Sequence, residues 1–401
     1  MNIQKLSEFT KTASTAVTAV GILALMAAVG VLTVTKNHGM LFSPEPNPET
    51  GVTDNLKTRI VSAYDDNIVG FDKFLSVYGV SQKLLGTSVY EDAGYTYLIR
   101  DSEDYLHFHT LRADARPFAD AVISLNNTLT DAGIPFLYLQ APTKVIEGYT
   151  KFPIGLTPQT VNNSKEMAQM LRDGGVELLS FSEIFAERGI APETQFYRTD
   201  HHWTTQSAFE AFSYVVPYLN ETRGWTLDET LCADESWTPL YQPQSFLGSI
   251  GRRVGQDLCG LDDYTYLEPN FPTSYQVFYP PESREVPYWK GDFHFCMVRD
   301  SLLYAEDVTA NRYASYFQYD YGELVIENML AENELHVVIV KDSFALPFTA
   351  FFSTTVRKTT MIDLREFDGS VTEYLQTLHP DLVIMLYGNG SFSPTMYQFH
   401  D

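Results

Sequence analysis

Cysteine is scarce. The 401-residue chain has three, Cys232, Cys259 and Cys296. They lack metal-site spacing, and an odd count makes no disulfide framework. Cys232 and Cys259 could pair in an oxidising compartment; three free thiols is the other reading. Basic residues are scarce as well. Lys and Arg total 27 against 51 Asp and Glu, a net charge of −24. That balance excludes binding of nucleic acid or anionic lipid through a general electrostatic field. It suits a soluble domain or a neutral substrate. Internal repeats and low-complexity tracts are absent. What is abundant is apolar and aromatic surface. Hydrophobic residues make up 44%, and 25 Tyr and 26 Phe help bring aromatics to 14%. The chain can bury a sizeable core, as one large domain or two smaller ones. Aromatic surfaces stack on sugar rings, but core packing is their commoner use.

One uncharged run stands out. Ala13 to Thr35 holds no charge over 23 residues, long enough to span a bilayer as a helix. Lys5 and Lys11 precede it, Lys36 closes it, and basic flanks place the short N-terminus in the cytoplasm. A cleaved signal peptide is the rival reading, but the run is long for one and no clean cleavage site follows. Residues 37–56 read as a linker, because Pro44, Pro46 and Pro48 favour an extended chain. Tyr95–Ile99 reads as a strand. Arg112–Leu129 reads as a helix, with Phe118, Val122, Leu125 and Leu129 at helical spacing.

An α/β pattern then begins. Strands are expected at Ile134–Leu139, Val176–Leu179, Val337–Val340, Thr360–Leu364 and Leu382–Tyr387, with helices at Ser164–Asp173 and Thr205–Leu219. Five strands with helices between them predict a parallel sheet covered on both faces. Residues 225–330, rich in Tyr, Pro and Asp, read as an irregular insertion, β-rich in part.

The chemistry concentrates at two places. Val337–Val340 is a short apolar, β-branched strand that ends in Lys341-Asp342-Ser343-Phe344 before a helix opening at Ala345-Leu346-Pro347. A serine on a strand-to-helix turn is exposed at the C-terminal edge of a parallel sheet, where α/β proteins place their chemistry. Taken alone, Ser343 is as well explained as a helix cap. The second place is Arg198-Thr199-Asp200-His201-His202-Trp203-Thr204-Thr205, before a helix that Thr204 or Thr205 can cap. Asp200 and His202, two apart, can meet on a tight turn. A carboxylate on imidazole Nδ1–H fixes the tautomer and leaves Nε2 free to take a proton from a serine. Two plainer readings stay open here: metal ligation by the Asp-His-His cluster and a structural corner bonded to its own backbone. Gly388-Asn389-Gly390-Ser391 follows a strand and could supply oxyanion donors, though Asn-Gly is commonly just a turn.

TDHHWT resembles the signature of the DHHW protein family and is similar to the Thr-Asp-x-His-Trp motif of the alginate O-acetyltransferases. Those proteins are SGNH-hydrolase-like, with Asp and His ahead of the serine. By that resemblance Asp200 and His202 match the catalytic Asp and His, and Ser343 in KDSF matches the nucleophile. Met361–Arg365 resembles the family's Asp-x-Arg segment, and Phe246–Arg253 its Gly-Ser/Arg loop. Lys341 stands where a glycine usually precedes Asp-Ser, and Gly388-Asn389 only loosely matches the Gly-x-Asn oxyanion block.

The expected fold is therefore α/β: an SGNH-hydrolase-like parallel sheet with helices on both faces, permuted motif order, an insertion at about 225–330 and an N-terminal transmembrane helix. The expected division is a tail and anchor at 1–36, a linker at 37–56 and the SGNH-like domain at 57–401. The resemblance implies an extracytoplasmic O-acetyltransferase acting on a cell-envelope or exported polysaccharide. Ser343 would carry the acetyl group, with the Ser343 N–H and Asn389 as oxyanion donors. A membrane-bound O-acyltransferase would supply the acetyl donor. Trp203, Arg252, Arg253 and Arg365 are placed to contact glycan; their ordinary reading is a packed indole and solvated or paired arginines. No cofactor, metal or nucleic acid is expected. A carbohydrate esterase with the same triad, and a non-catalytic glycan-binding or assembly protein, remain as alternatives.

Overall fold

The computed structural model describes residues 3–43, 56–57, 59–60, 68–92, 96–279, 288–317, 320–388 and 392–400, with side chains described from residue 20 onward except at 71, 72 and 96. The chain divides into two compact units, Met1–Ser81 and Gln82–Asp401.

The first unit opens with a 34-residue helix, Ile3–Lys36. Its described side chains include exposed Val20, Ile22, Leu23, Met26 and Val31. Among the described residues no helix is long and apolar enough to cross a membrane, so the transmembrane helix expected over 13–35 is not supported. The first residues of that run, and the prolines at 44–48, lie outside the described side chains.

Among its described residues the second unit has thirteen strands: β1 (Val89–Asp92), β2 (Thr96–Arg100), β3 (Leu106–Phe108), β4 (Phe136–Gln140), β5 (Leu178–Ser180), β6 (Trp237–Phe246), β7 (Asp262–Pro269), β8 (Tyr275–Phe278), β9 (Trp289–Gly291), β10 (Glu323–Asn328), β11 (His336–Lys341), β12 (Lys358–Ile362) and β13 (Leu382–Tyr387). Eight of them form one sheet in the order β5-β4-β13-β11-β12-β10-β8-β9. The five strands expected from sequence, β4, β5, β11, β12 and β13, are its parallel part.

The period-two pattern of β11 explains its central position. Val337 and Ile339 pack into one core with the helices Thr205–Arg223 and Ala345–Phe352. Val338 and Val340 pack into the opposite core with Arg116–Asp131, Thr160–Asp173 and Val371–Leu378. All four side chains are fully buried. At roughly 1.5–3 kcal/mol per buried aliphatic side chain, even this short strand has one stable location. Helices cover both faces, as expected of buried parallel strands.

The sheet is mixed rather than purely parallel. Strands β10, β8 and β9 add to the β12 edge in antiparallel register. β8 and β9 come from the segment read as an insertion, which therefore extends the sheet. β6 and β7 pair separately as a two-stranded antiparallel sheet, and β1–β3 form a small antiparallel sheet. Cys232, Cys259 and Cys296 are all free thiols.

Candidate active site

The C-terminal ends of neighbouring parallel strands set the site. Ser343 follows β11, Gly388 follows β13, Arg365 follows β12 and Lys144 follows β4. All four line one cavity of about 550 Å³. Ser343 also borders a second cavity of about 390 Å³, on the side of His202 and Tyr313.

Ser343 is not a helix cap. The helix that follows is preceded by Phe344 and has no side-chain cap bond. Asp342 shapes the turn instead. Its carboxylate accepts from Phe344 N–H at 2.9 Å and from Gly388 N–H at 2.7 Å. Burial raises the Asp342 carboxyl to about 6, against the lowering effect of those two N–H groups. The approach at Gly388 is close: a Cβ there would lie 2.5 Å from the Phe344 ring and 3.1 Å from Asp342 Oδ2. Gly388 N–H is thus spent on Asp342. The N–H of Ser343 carries no hydrogen bond among the described residues, and Asn389 lies outside them.

The Asp-His-His turn is closed by an antiparallel bridge between Phe196 and Trp203. Thr204 caps the following helix by accepting from Ser207 N–H. Asp200 Oδ1 accepts from His202 N–H at 2.9 Å and from His202 Nδ1 at 2.6 Å. The Phe246–Arg253 loop completes the shell. Ser249 N–H donates to Asp200 Oδ2 at 2.6 Å, and a Cβ at Gly248 would lie 2.3 Å from Asp200 Cβ, so only glycine allows that approach. Burial opposes ionisation of Asp200; the electrostatic influence of the neighbouring His202 and His201 and the bonds from His202 and Ser249 outweigh it and hold the carboxyl well below the usual range. An ionised Asp200 only accepts, so His202 carries its proton on Nδ1.

His202 Nε2 then faces Ser343 Oγ at 2.7 Å, and the hydroxyl donates to it. The ring lies flat on Tyr313, centroids 3.8 Å apart at 10°. Tyr313 OH donates to Phe344 carbonyl oxygen at 3.0 Å. Trp203 Nε1–H donates to the same oxygen at 2.9 Å. The structure thus brings Asp200, His202 and Ser343 into one hydrogen-bonded line, a geometry able to transfer a proton from a serine as it attacks a carbonyl.

Asp200, His201 and His202 offer ligand atoms within 4.8 Å of one another. However, both ring nitrogens of His202 are engaged, and His201 Nδ1 is 2.6 Å from Ser249 Oγ. A metal would have to displace these bonds. Burial, then the neighbouring His202, pushes His201 down to about 3, leaving it neutral at ordinary pH.

The residues expected to meet a glycan scatter. Trp203 is fully buried against Phe344 and Phe181 and is a core side chain. Arg252 donates to the Thr309 carbonyl, and Arg253 pairs with Asp92 at 2.8 Å. Arg365 does line the cavity, but its guanidinium is held by Asp363 and Asp320. Those same carboxylates take the fully buried Lys341. The Asp-x-Arg segment therefore neutralises the lysine that stands where a glycine was expected. Lys144, Asp342 and Tyr313 were not singled out from sequence. Lys144 and Asp342 lie at strand C-termini, which was a usable signal; Tyr313, in an irregular stretch, gave none.

Residues 98–250 match the family described as SGNH hydrolase-like domain, acetyltransferase AlgX. Two solved structures share the architecture. PatB1 from Bacillus cereus aligns with TM-score 0.61 at 21% identity, over 75% of this chain and 99% of that one. A DHHW family protein from Eubacterium siraeum aligns with TM-score 0.56 at 15% identity, over 79% and 95%. The fold is SGNH hydrolase-like. The resemblance read from the sequence is thereby upheld for the fold and for the segment that holds TDHHW. PatB1 has also been solved with a sulfonyl adduct. No curated protein matches this chain. The matched family segment contains Asp200, His202 and Ser249 and ends before Ser343.

Proposed function

We propose that this protein is an O-acetyltransferase that modifies a polysaccharide through an acetyl-enzyme on Ser343. The observation that carries the reading is the line from Asp200 through His202 to Ser343, with bonds of 2.6 and 2.7 Å. The acetyltransferase description of the matched family supports the reaction class.

In the first step Ser343 Oγ attacks the donor's acetyl carbon, and its proton passes to His202 Nε2. The bond to the leaving group breaks and that group takes the proton. In the second step a sugar hydroxyl gives its proton to His202 and attacks the acetyl carbon; Ser343 Oγ leaves and recovers the proton. Asp200 holds the imidazole in its tautomer and stabilises the imidazolium. Ser343 N–H, with a donor from the 388–391 loop such as Asn389, stabilises the oxyanion.

The location belongs to the same proposal. The protein acts outside the cytoplasm, where cell-envelope and exported polysaccharides are met. A membrane-bound O-acyltransferase supplies the donor.

Transfer and hydrolysis are separated by supplying purified protein with a chromogenic acetyl ester, with and without soluble glycan acceptors, and measuring acetylated glycan against acetate. Faster donor turnover with acetyl on the glycan is expected. Acetate as the sole product with every acceptor would assign an esterase instead.

A further inference from the structure

Lys144 stands in the segment after β4 and lines the cavity beside Ser343. Its ammonium donates to two backbone carbonyls, Arg198 O at 3.0 Å and Asp200 O at 2.6 Å. These oxygens flank Thr199 on the turn that presents the Asp200 carboxylate. Three carboxylates face the ammonium, those of Asp262, Asp200 and Asp101, together with the Cys259 thiol and the His107 and His201 rings. Tyr105 lies beneath it, with the ring centroid 5.8 Å away.

Each carboxylate is already engaged elsewhere. Asp262 accepts from Arg198 N–H and Thr199 N–H. Asp101 accepts from His107, and Asp200 from His202 and Ser249. Lys144 therefore spends its protons on the turn's backbone while its charge lies in a field of carboxylates. β4 is separated from β11 by one strand, β13, in the same sheet. Whatever Lys144 ties to the end of β4 is thus referenced to the strand that carries Ser343.

We propose that Lys144 is a positioning residue for acyl transfer, tying the Arg198–Asp200 turn to the sheet edge so that Asp200 and His202 keep their register with Ser343. The role rests on the reading of Ser343 as nucleophile. Its effect is exerted through Asp200 and His202, since a small displacement of reacting groups can cost on the order of 10²-fold in rate. Charge-assisted donors are the stronger ones, so the tie weakens when the ammonium loses its proton. Burial pulls Lys144 down to about 8, against the raising effect of Asp262, Asp200 and Asp101. The tie is whole below that pH and slackens above it.

The test uses the full chain with a chromogenic acetyl ester across about pH 6 to 10, for wild type, Lys144→Arg and Lys144→Met. Wild type is expected to lose kcat above about pH 8 with little change in KM. Lys144→Arg moves that limb to higher pH because guanidinium stays charged. Lys144→Met removes the limb and lowers kcat by roughly 10- to 100-fold at pH 7. Proton NMR supplies a readout independent of activity: the downfield His202 Nδ1–H resonance should be present in wild type and shifted or lost in Lys144→Met. A Met variant with wild-type kcat, pH profile and His202 resonance overturns the proposal. Should the Met variant not fold, an unmoved high-pH limb in Lys144→Arg overturns it. Wild type no faster than Ser343→Ala, with the resonance still lost in Lys144→Met, sinks the acyl-transfer reading and leaves the tie standing.

Discussion

Among the described residues, two histidine–aspartate pairs have both side chains buried, and each histidine lines a cavity that Ser343 also lines. His202 gives Nδ1 to Asp200 and Nε2 to Ser343. His107 is wired the other way round: Nε2 is bound to Asp101 at 2.8 Å, and Nδ1 is buried without a partner among the described residues. His107 also lines the larger cavity, with Phe152 edge-on at 5.0 Å. Asp101 receives Tyr105 and Glu103 N–H as well, so its carboxylate is fully occupied. Burial pushes His107 down to about 4, despite the raising effect of Asp101. A His–Asp pair is therefore not a catalytic device in itself. What separates the two is the third member: a serine at the tip of a parallel strand for His202, and no nucleophile bonded to His107 among the described residues.

The sharpest way to break the contrast is to remove each pair's histidine. His202→Ala should lower turnover of an activated acetyl ester by roughly 10³-fold or more, read as initial rate on folded protein. Asp200→Asn should cost a comparable factor by favouring the wrong tautomer. If either variant retains wild-type turnover, the triad reading fails.

Next in size is the charge cluster under Ser343. Lys341 is fully buried and shares Asp363 and Asp320 with Arg365. Lys341→Ala leaves Asp363 and Asp320 with one cation between them and should destabilise the fold by roughly 3–5 kcal/mol. Chemical denaturation should show the midpoint fall at unchanged slope.

Acid titration then separates two buried groups of opposite sign. Asp342 has a raised pKa, about 6 in the fold against 3.8. Its proton is held more tightly by the native state, so its contribution to stability grows as pH falls from about 6, by up to about 3 kcal/mol. His107 is depressed, about 4 against 6.5. Its contribution is present above pH 6.5 and is lost as pH falls toward 4, by a similar amount. Asp342→Asn and His107→Gln should therefore tilt the pH dependence of Tm in opposite directions. In activity, protonating Asp342 weakens its grip on Phe344 and Gly388 N–H, so the wild-type rate should decline below about pH 6.

The smallest effect expected is on catalysis by His107→Gln. With no nucleophile on its ring, it should keep ester turnover within about tenfold of wild type, in contrast to His202→Ala. A loss as large as that of His202→Ala would overturn the comparison.

The parallel core was legible because its strands are short apolar runs with β-branched residues, each side chain facing one of two helical layers. The Asp200–His202 turn and Ser343 were legible because chemistry-bearing residue types sat at strand and helix boundaries. The insertion was not. β8 and β9 span four and three residues within a Tyr- and Pro-rich stretch, too short for an alternating pattern to stand out. Their pairing with the sheet is a tertiary fact. Trp203 illustrates a different limit: beside a candidate base, an indole reads equally as a sugar platform or as core. Packing against Phe344 and Phe181, with Nε1–H on the Phe344 carbonyl, decided for core. Tyr313 reaches His202 from 111 positions along the chain, a proximity that no local motif encodes.

The central claim is that Ser343 takes the acyl group, and intact-mass spectrometry tests it most directly. Wild type and Ser343→Ala are incubated with a chromogenic acetyl ester, quenched in acid and weighed, and any adduct is mapped by peptide digestion. The account predicts one acetyl group on wild type, on the peptide containing Ser343, and none on the variant. Equal turnover in both proteins, or an acetyl group on another residue, would contradict it.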